Sequence, residues 1–245
     1  MNVSYVQLPT FSDHRGSMTY LDCDRTWPIQ IDEVCWMSPQ IPQTFSIKEN
    51  SRIFMIGLNG DVWIKTLSKG NSWLWDLNLP SRALEIRHDC IYSVGSNTSA
   101  IFLLLIKETL VKVDVTEPDR IQFVKRRESD SGRFTFEYVP LIIRRIYFLY
   151  DLTEGTRRGG HAHRQLSGLI LAVRGRFDIL LDDGTHQRQL TLTDTGDALF
   201  VPRMVWRELS NFSSDAVVLV LASGVYDEQE MIRNYNTFLT AKQNG

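Results

Sequence analysis

The sequence of 245 residues has only three cysteines, Cys23, Cys35 and Cys90, and none sits in a Cys-x-x-Cys pair. An odd number confined to one half of a chain does not make a disulfide framework, and it fits a reducing compartment. Any basic stripe is also absent. Lys and Arg number 27 against 29 Asp and Glu, for a formal net charge of −2, which is not the electrostatic footprint of a nucleic-acid-binding chain. The opening Met1-Asn2-Val3-Ser4-Tyr5 has no basic segment and no long apolar one, so no secretory leader is expected. The longest apolar runs, such as 100–106, fall far short of the roughly 20 residues that span a bilayer. These absences point to a cytoplasmic protein with no nucleic-acid and no membrane partner.

What is present is a dense series of short strand signals. Residues 53–58, 62–66, 101–106, 169–173, 177–181 and 217–221 are rich in β-branched and aromatic side chains. Turns such as Asn59-Gly60, Arg174-Gly175 and Asp182-Asp183-Gly184 separate them. Short strands at regular spacing with glycine turns predict an all-β sandwich or barrel. The chain also repeats itself. A shift of 115 places Gly60 on Gly175, Ala83-Leu84 on Ala198-Leu199, and the run 53–62 on 168–177 without a gap. The stretch 13–19 has a looser echo in 129–135. Two tandem β domains are expected, 1–112 and 113–245, joined by a linker near 112–119. One helix is expected at the C-terminus. Acidic Asp227-Glu228 would start it, at the positive end of the helix dipole. Met231, Ile232, Tyr235, Phe238 and Leu239 then form one apolar stripe.

The chemistry concentrates in Gly159-Gly160-His161-Ala162-His163. Alternate side chains of a strand share a face, so His161 and His163 project together. With Gly155 before them and Gly168 and Gly175 after, they keep the spacing of the first cupin motif. Gly196, Pro202, Met204, Arg207 and Asn211 keep that of the second. Two tandem cupin jelly rolls are therefore expected. Gly168 stands where the motif places a glutamate, and Arg207 where it places a histidine. Two of four metal ligands are thus missing, and a guanidinium repels a cation, so no metal is expected. Proton transfer by histidine remains, with arginine available to hold an anion. In the repeat register Ser46 and Lys48 replace the two histidines, so the first half is expected to be a degenerate, non-catalytic cupin.

Several stretches together resemble one family. They are Arg157-Arg158-Gly159-Gly160-His161-Ala162-His163, Leu180-Leu181-Asp182-Asp183-Gly184, Pro202-Arg203-Met204-Val205-Trp206-Arg207-Glu208, Val225-Tyr226-Asp227-Glu228 and Ile232-Arg233-Asn234-Tyr235. Over roughly 128–240 the chain resembles the dTDP-4-keto-6-deoxyglucose 3,4-ketoisomerases, the WxcM-like cupins, and Asp13-His14-Arg15-Gly16-Ser17-Met18-Thr19 followed by Trp27-Pro28 resembles their start. The resemblance implies an isomerase that moves a keto group from C4 to C3 of a dTDP-linked 4-keto-6-deoxy sugar through an enediol, without a cofactor. It implies His161 as the acid/base and His163 as part of its proton relay. It places Arg158, Tyr147, Trp206 and Arg207 against the substrate. Residue 207 and the residue before the early glycine are linked to product configuration at C4, where arginine at 207 leans gluco. Family members carry one cupin and exchange N-terminal strands in a dimer. This two-cupin chain is then a covalent pseudo-dimer, with a homodimer of such chains as the alternative. Ser131-Gly132 replaces the family's Arg-Gly in the catalytic half, so Arg15 is expected to reach that site by strand exchange. The rival readings are a 3,5-epimerase-like cupin on the same substrate and a non-catalytic sugar-nucleotide-binding bicupin.

Overall fold

The structure is a computed structural model that describes residues 3–23, 31, 33–37, 43–47, 52–87, 90–96, 101–107, 115–129 and 133–244. It is almost entirely β. The chain forms two compact units, and each is a pair of sheets.

The unit that carries the paired histidines comprises residues 11–28, 114–125 and 138–245. Its seven-stranded sheet runs Gln122–Val124, Ala198–Val201, Gly168–Arg174, Val217–Ala222, Arg145–Tyr150, Gly16–Asp22, Thr10–Asp13. Its five-stranded sheet runs Gln187–Thr193, Arg176–Asp182, Trp206–Ser210, Arg158–His163, Met231–Ile232. Period-two patterning makes them pack: Phe177, Ile179 and Leu181 point inward, and Arg176, Asp178 and Leu180 are less buried. Those three meet Ile170, Ala172, Leu199, Val218 and Val220 of the larger sheet in one core. Two antiparallel sheets closed over a shared apolar interior make a jelly roll.

The other unit comprises residues 1–10, 29–113 and 126–137. Its seven-stranded sheet ends in Glu33–Met37, Arg133–Phe136 and Arg126–Glu128, and its second sheet has four strands. Cys35, Met37, Met55 and Leu84 from one sheet pack on Val62, Ile64, Tyr92 and Val94 from the other. The three cysteines are buried. Both units are thus cupin-like, as the repeat implies.

The cut at 112/113 read from the sequence gives way to an interleaved division. Strand Gly16–Asp22 pairs with Arg145–Tyr150 in register Asp22↔Arg145, Tyr20↔Tyr147, Met18↔Leu149. Reciprocally, Arg133–Phe136 pairs with Glu33–Met37. There Trp36 packs against Phe134 and Phe136, and Thr135 Oγ1 donates to the Val34 carbonyl at 3.1 Å. In the repeat register these two strands are counterparts, and each lies in the sheet built mainly from the other half. Backbone hydrogen bonds reward any adjacent strand, whatever its place in the sequence. Gly16 makes the entry possible: its φ is +119°, and a Cβ there would lie 2.7 Å from the Asp151 carbonyl oxygen.

The C-terminal helix begins later than the sequence suggests. Glu228–Glu230 is a single 3-10 turn, capped by the Asp227 side chain. Met231–Ile232 then pairs with Ala162 and His163 as a short strand. The α-helix is Tyr235–Gln243, capped by Asn234 Oδ1, which accepts from the Thr237 N–H at 3.0 Å. The stripe survives in part: Phe238 and Tyr235 pack on Trp206, Ala162 and Ile232. Among the described residues no helix is long and apolar enough to cross a membrane.

Candidate active site

Strand Arg158–His163 bends at its glycines. Arg158 faces Leu209 and Gly159 faces Glu208, but the next pair is His161 with Arg207, so Gly160 is an extra residue in the ladder. Strict alternation would put Arg158 on the face opposite His161. The bulge restores it to the same face. Gly159 and Gly160 have φ of +82° and +66°, values that L-residues resist. A Cβ on Gly159 would also fall 2.6 Å from the Arg207 carbonyl oxygen. Gly159→Ala is therefore expected to destabilise the unit by about 1–3 kcal/mol, read as a lower urea midpoint, and to disorder the paired imidazoles.

The two imidazoles stand edge to face with centroids 4.8 Å apart. Both line a cavity of about 690 Å3. Neither Nδ1 has a hydrogen-bond partner. Burial and then the charge of Arg207 push His161 down to about 4. The same two causes, followed by His161 and Arg145, push His163 down to about 2. Both rings are therefore neutral at physiological pH and able to accept a proton.

Arg207 is a buried cation of the site, at 5% exposure. Its Nη2 donates to the Pro202 and Val205 carbonyls at 3.3 and 3.2 Å. Burial lowers it to about 10, and the Tyr147 phenol acts the other way. Arg207 Nη1 lies 3.6 Å from where a Gly168 side chain would begin. The glycine at the motif's glutamate position thus makes room for the guanidinium. Among the described residues, no three His, Cys, Asp or Glu side chains are grouped to hold a metal ion.

Tyr147, Arg158 and Arg15 also line the cavity. Arg158 contacts Asp13 Oδ1 at 3.6 Å, and burial lowers its pKa. Arg15, half exposed, makes a two-point contact with Asp13 Oδ2, at 3.0 Å from Nε and 2.6 Å from Nη2. This bridge holds Asp13 down at about 2.

Trp206 is the exception among the residues expected to face the substrate. It is not among the cavity-lining side chains. Its ring packs on Tyr235 and Phe238, and its Nε1 donates to Glu208 Oε1 at 2.9 Å. Neighbours in a strand point to opposite faces, so once Arg207 turns inward Trp206 must turn outward. Lys48, His88, Trp27 and Ser131 lie outside the described residues. Ser46 is exposed on the other unit.

Residues 121–243 match the family described as FdtA: WxcM-like, C-terminal. The chain belongs to the WxcM-like sugar 3,4-ketoisomerase family. It is 39% identical over 100 residues to the TDP-4-oxo-6-deoxy-alpha-D-glucose-3,4-oxoisomerase of Aneurinibacillus thermoaerophilus, which covers 41% of this chain and 72% of that protein. Among solved structures it is similar to a TDP-fucose-3,4-ketoisomerase from Campylobacter jejuni, at 31% identity over 51% of this chain and 96% of that one, TM-score 0.47. It is also similar to a 3,4-ketoisomerase from Helicobacter canadensis, at 34% identity over 51% and 96% of the two chains, TM-score 0.47.

Within this WxcM-like site, several cavity residues carry no expectation from sequence: Tyr20, Asp22, Arg145, Tyr226 and Arg233. Arg145 was within reach of alternation, two residues before Tyr147. Tyr20 and Asp22 were not, because their pairing partner lies more than a hundred residues away.

Proposed function

We propose that the histidine-bearing unit is a sugar-nucleotide 3,4-ketoisomerase acting on a dTDP-linked 4-keto-6-deoxyhexose. The observation that carries this reading is the pair of neutral imidazoles, each with an unbonded Nδ1, beside a buried guanidinium in one cavity. The relative from Aneurinibacillus thermoaerophilus, named for the same interconversion, supports the choice of substrate.

The C4 carbonyl acidifies the proton on C3. His161 accepts that proton, the C3–H electron pair becomes a C3–C4 double bond, and the carbonyl pair moves onto O4. O4 gains a proton and O3 gives one up, which makes the enediol exchangeable between the two carbons. Collapse of O3 to a carbonyl returns a proton to C4. C3 is oxidised and C4 reduced by the same electron pair, so the substrate is its own redox partner. His163, within ring contact of His161, relays protons between the hydroxyls and the base. Arg15 and Arg233, each about half exposed, suit the diphosphate, and Arg207 keeps charge near the reacting carbons.

Incubation with dTDP-4-keto-6-deoxyglucose in deuterium oxide, followed by NMR, tests this. The carbonyl should move to C3, and C4 should become a hydroxyl-bearing carbon that carries deuterium from solvent. An inverted C3 or C5 centre with the carbonyl still at C4 would make the protein an epimerase instead.

The pH dependence follows from the cavity. A base with its pKa near 4 stays unprotonated well below the ordinary histidine value of 6.5. The acid limb of kcat/KM is expected near pH 4 rather than 6.5. Arg207→Gln removes a cation that disfavours the imidazolium, so the limb should move up toward 6.5. Stability shifts in the same window. The unfolded chain binds protons at histidine below about pH 6.5, and the folded chain does not. Stability is therefore lost as pH falls from 6.5 toward 4.

A further inference from the structure

One wall of the cavity is built from three cross-strand pairs: Met18 with Leu149, Tyr20 with Tyr147, and Asp22 with Arg145. The third pair is ionic and deep. The side chains of Asp22 and Arg145 are 9% and 8% exposed, and Arg145 Nε lies 3.3 Å from Asp22 Oδ1. The guanidinium is framed by three rings, with its carbon 4.9 Å from the centre of Tyr20, 5.3 Å from Tyr147 and 5.0 Å from Tyr226. Such a frame fixes its plane. The contact is an ion pair, not a hydrogen bond: Arg145 Nε is buried without a hydrogen-bond partner, and among the described residues no side chain is hydrogen-bonded to its Nη atoms. A buried cation with one ion pair and no side-chain hydrogen bond is costly unless its cavity-facing edge meets an anion or a polar oxygen.

Arg145 lies at the end of the cavity that holds the reacting groups. Its charge is felt by His163 and by Tyr147, the residue that also faces Arg207. The half-exposed arginines Arg15 and Arg233 are available for a diphosphate, which leaves this buried one to the sugar.

We propose that Arg145 is a second guanidinium of the reaction centre, presenting its Nη edge to the sugar oxygen on which charge collects, and that Asp22 is its positioning residue. This rests on the ketoisomerase reading. As the C3–H electron pair moves into the C3–C4 bond, O4 takes the negative charge. A preorganised guanidinium at O4 stabilises that charge more than it stabilises the neutral ketone. The Asp22 carboxylate lies against the Nε edge as an ion pair, which biases the fork to keep its Nη edge toward the cavity when the charge appears. Part of the catalytic apparatus of this unit is thereby supplied by the first quarter of the sequence.

The test is the steady-state kinetics of Asp22→Asn, Arg145→Gln, Arg145→Lys and the double variant Asp22→Asn/Arg145→Gln, each checked for a cooperative thermal transition. Arg145→Gln should lower kcat by about 10²-fold, with KM within about threefold, the pattern of an interaction made only in the transition state. Asp22→Asn should lower kcat about tenfold with the same pattern, and the double variant should match Arg145→Gln, since a positioner adds nothing once its client is gone. Arg145→Lys, which keeps the charge without the fork, should fall between wild type and Arg145→Gln. If Asp22→Asn does not fold, the double variant, which leaves no unpaired buried charge, carries the comparison. A kcat for Arg145→Gln within threefold of wild type, a change confined to KM, or losses that multiply in the double variant would overturn the proposal and leave the ketoisomerase reading standing. A wild-type protein that does not move the carbonyl would remove both.

Discussion

Replacing His161 by Asn is expected to stop exchange of the sugar C3 proton with solvent and to lower turnover by about 10³-fold, inside the range a positioned acid/base group contributes. Nucleotide binding, followed by calorimetry with thymidine diphosphate, should persist. The substitution keeps a planar polar group in the strand but removes a nitrogen that can take up a proton at neutral pH. The fold has little reason to suffer, because His161 Nδ1 is unbonded and asparagine retains an amide donor for the Gly159 backbone. His163 cannot simply take over. It is pushed down to about 2 by burial, Arg207, His161 and Arg145, which makes it a much weaker base than His161. Turnover close to wild type would take the base role away from His161.

Expressing residues 113–245 alone is expected to give a protein with no measurable isomerase activity. A simple tandem arrangement predicts the opposite, since the cupin motifs and both histidines are present in that piece. The cut removes strand Gly16–Asp22, which leaves Arg145–Tyr150 as an open sheet edge, a template for aggregation. It removes Arg15, Met18, Tyr20 and Asp22 from the cavity. It also leaves Arg145 buried without its carboxylate, a strongly destabilising change. Size-exclusion chromatography should show aggregated or unfolded material, and co-expression with residues 1–112 should restore activity. A soluble, monomeric fragment with full kcat would show that the exchanged strand is dispensable.

Much of the site was legible because it follows from local spacing. His161 and His163 are two apart in a strand, so period two alone brings them to one face. Gly168 and Arg207 stand at the motif positions of a glutamate and a histidine, and the two residues meet in space. Other parts depended on details that spacing cannot show. Arg158 is three residues from His161, the wrong parity for a shared face, and only the extra Gly160 in the ladder corrects it. Trp206 was assigned to the substrate together with Arg207, although adjacent strand residues cannot both turn inward. A helix from residue 227 matched the apolar stripe, but pairing of Met231–Ile232 with Ala162 and His163 claims its first turn for the sheet.

The sequence by itself determined the all-β architecture, its duplication, the family and the two imidazoles, because each of these is written in alternation, turn residues and short-range motifs. The family resemblance raised an exchanged strand through Arg15, but only tertiary structure decided its register, and with that the presence of Tyr20, Asp22 and Arg145 at one wall of the cavity. Hydrogen bonding between strands depends on adjacency in space and carries no memory of distance along the chain, so spacing along the chain does not fix which residues of two exchanged repeats stand opposite one another.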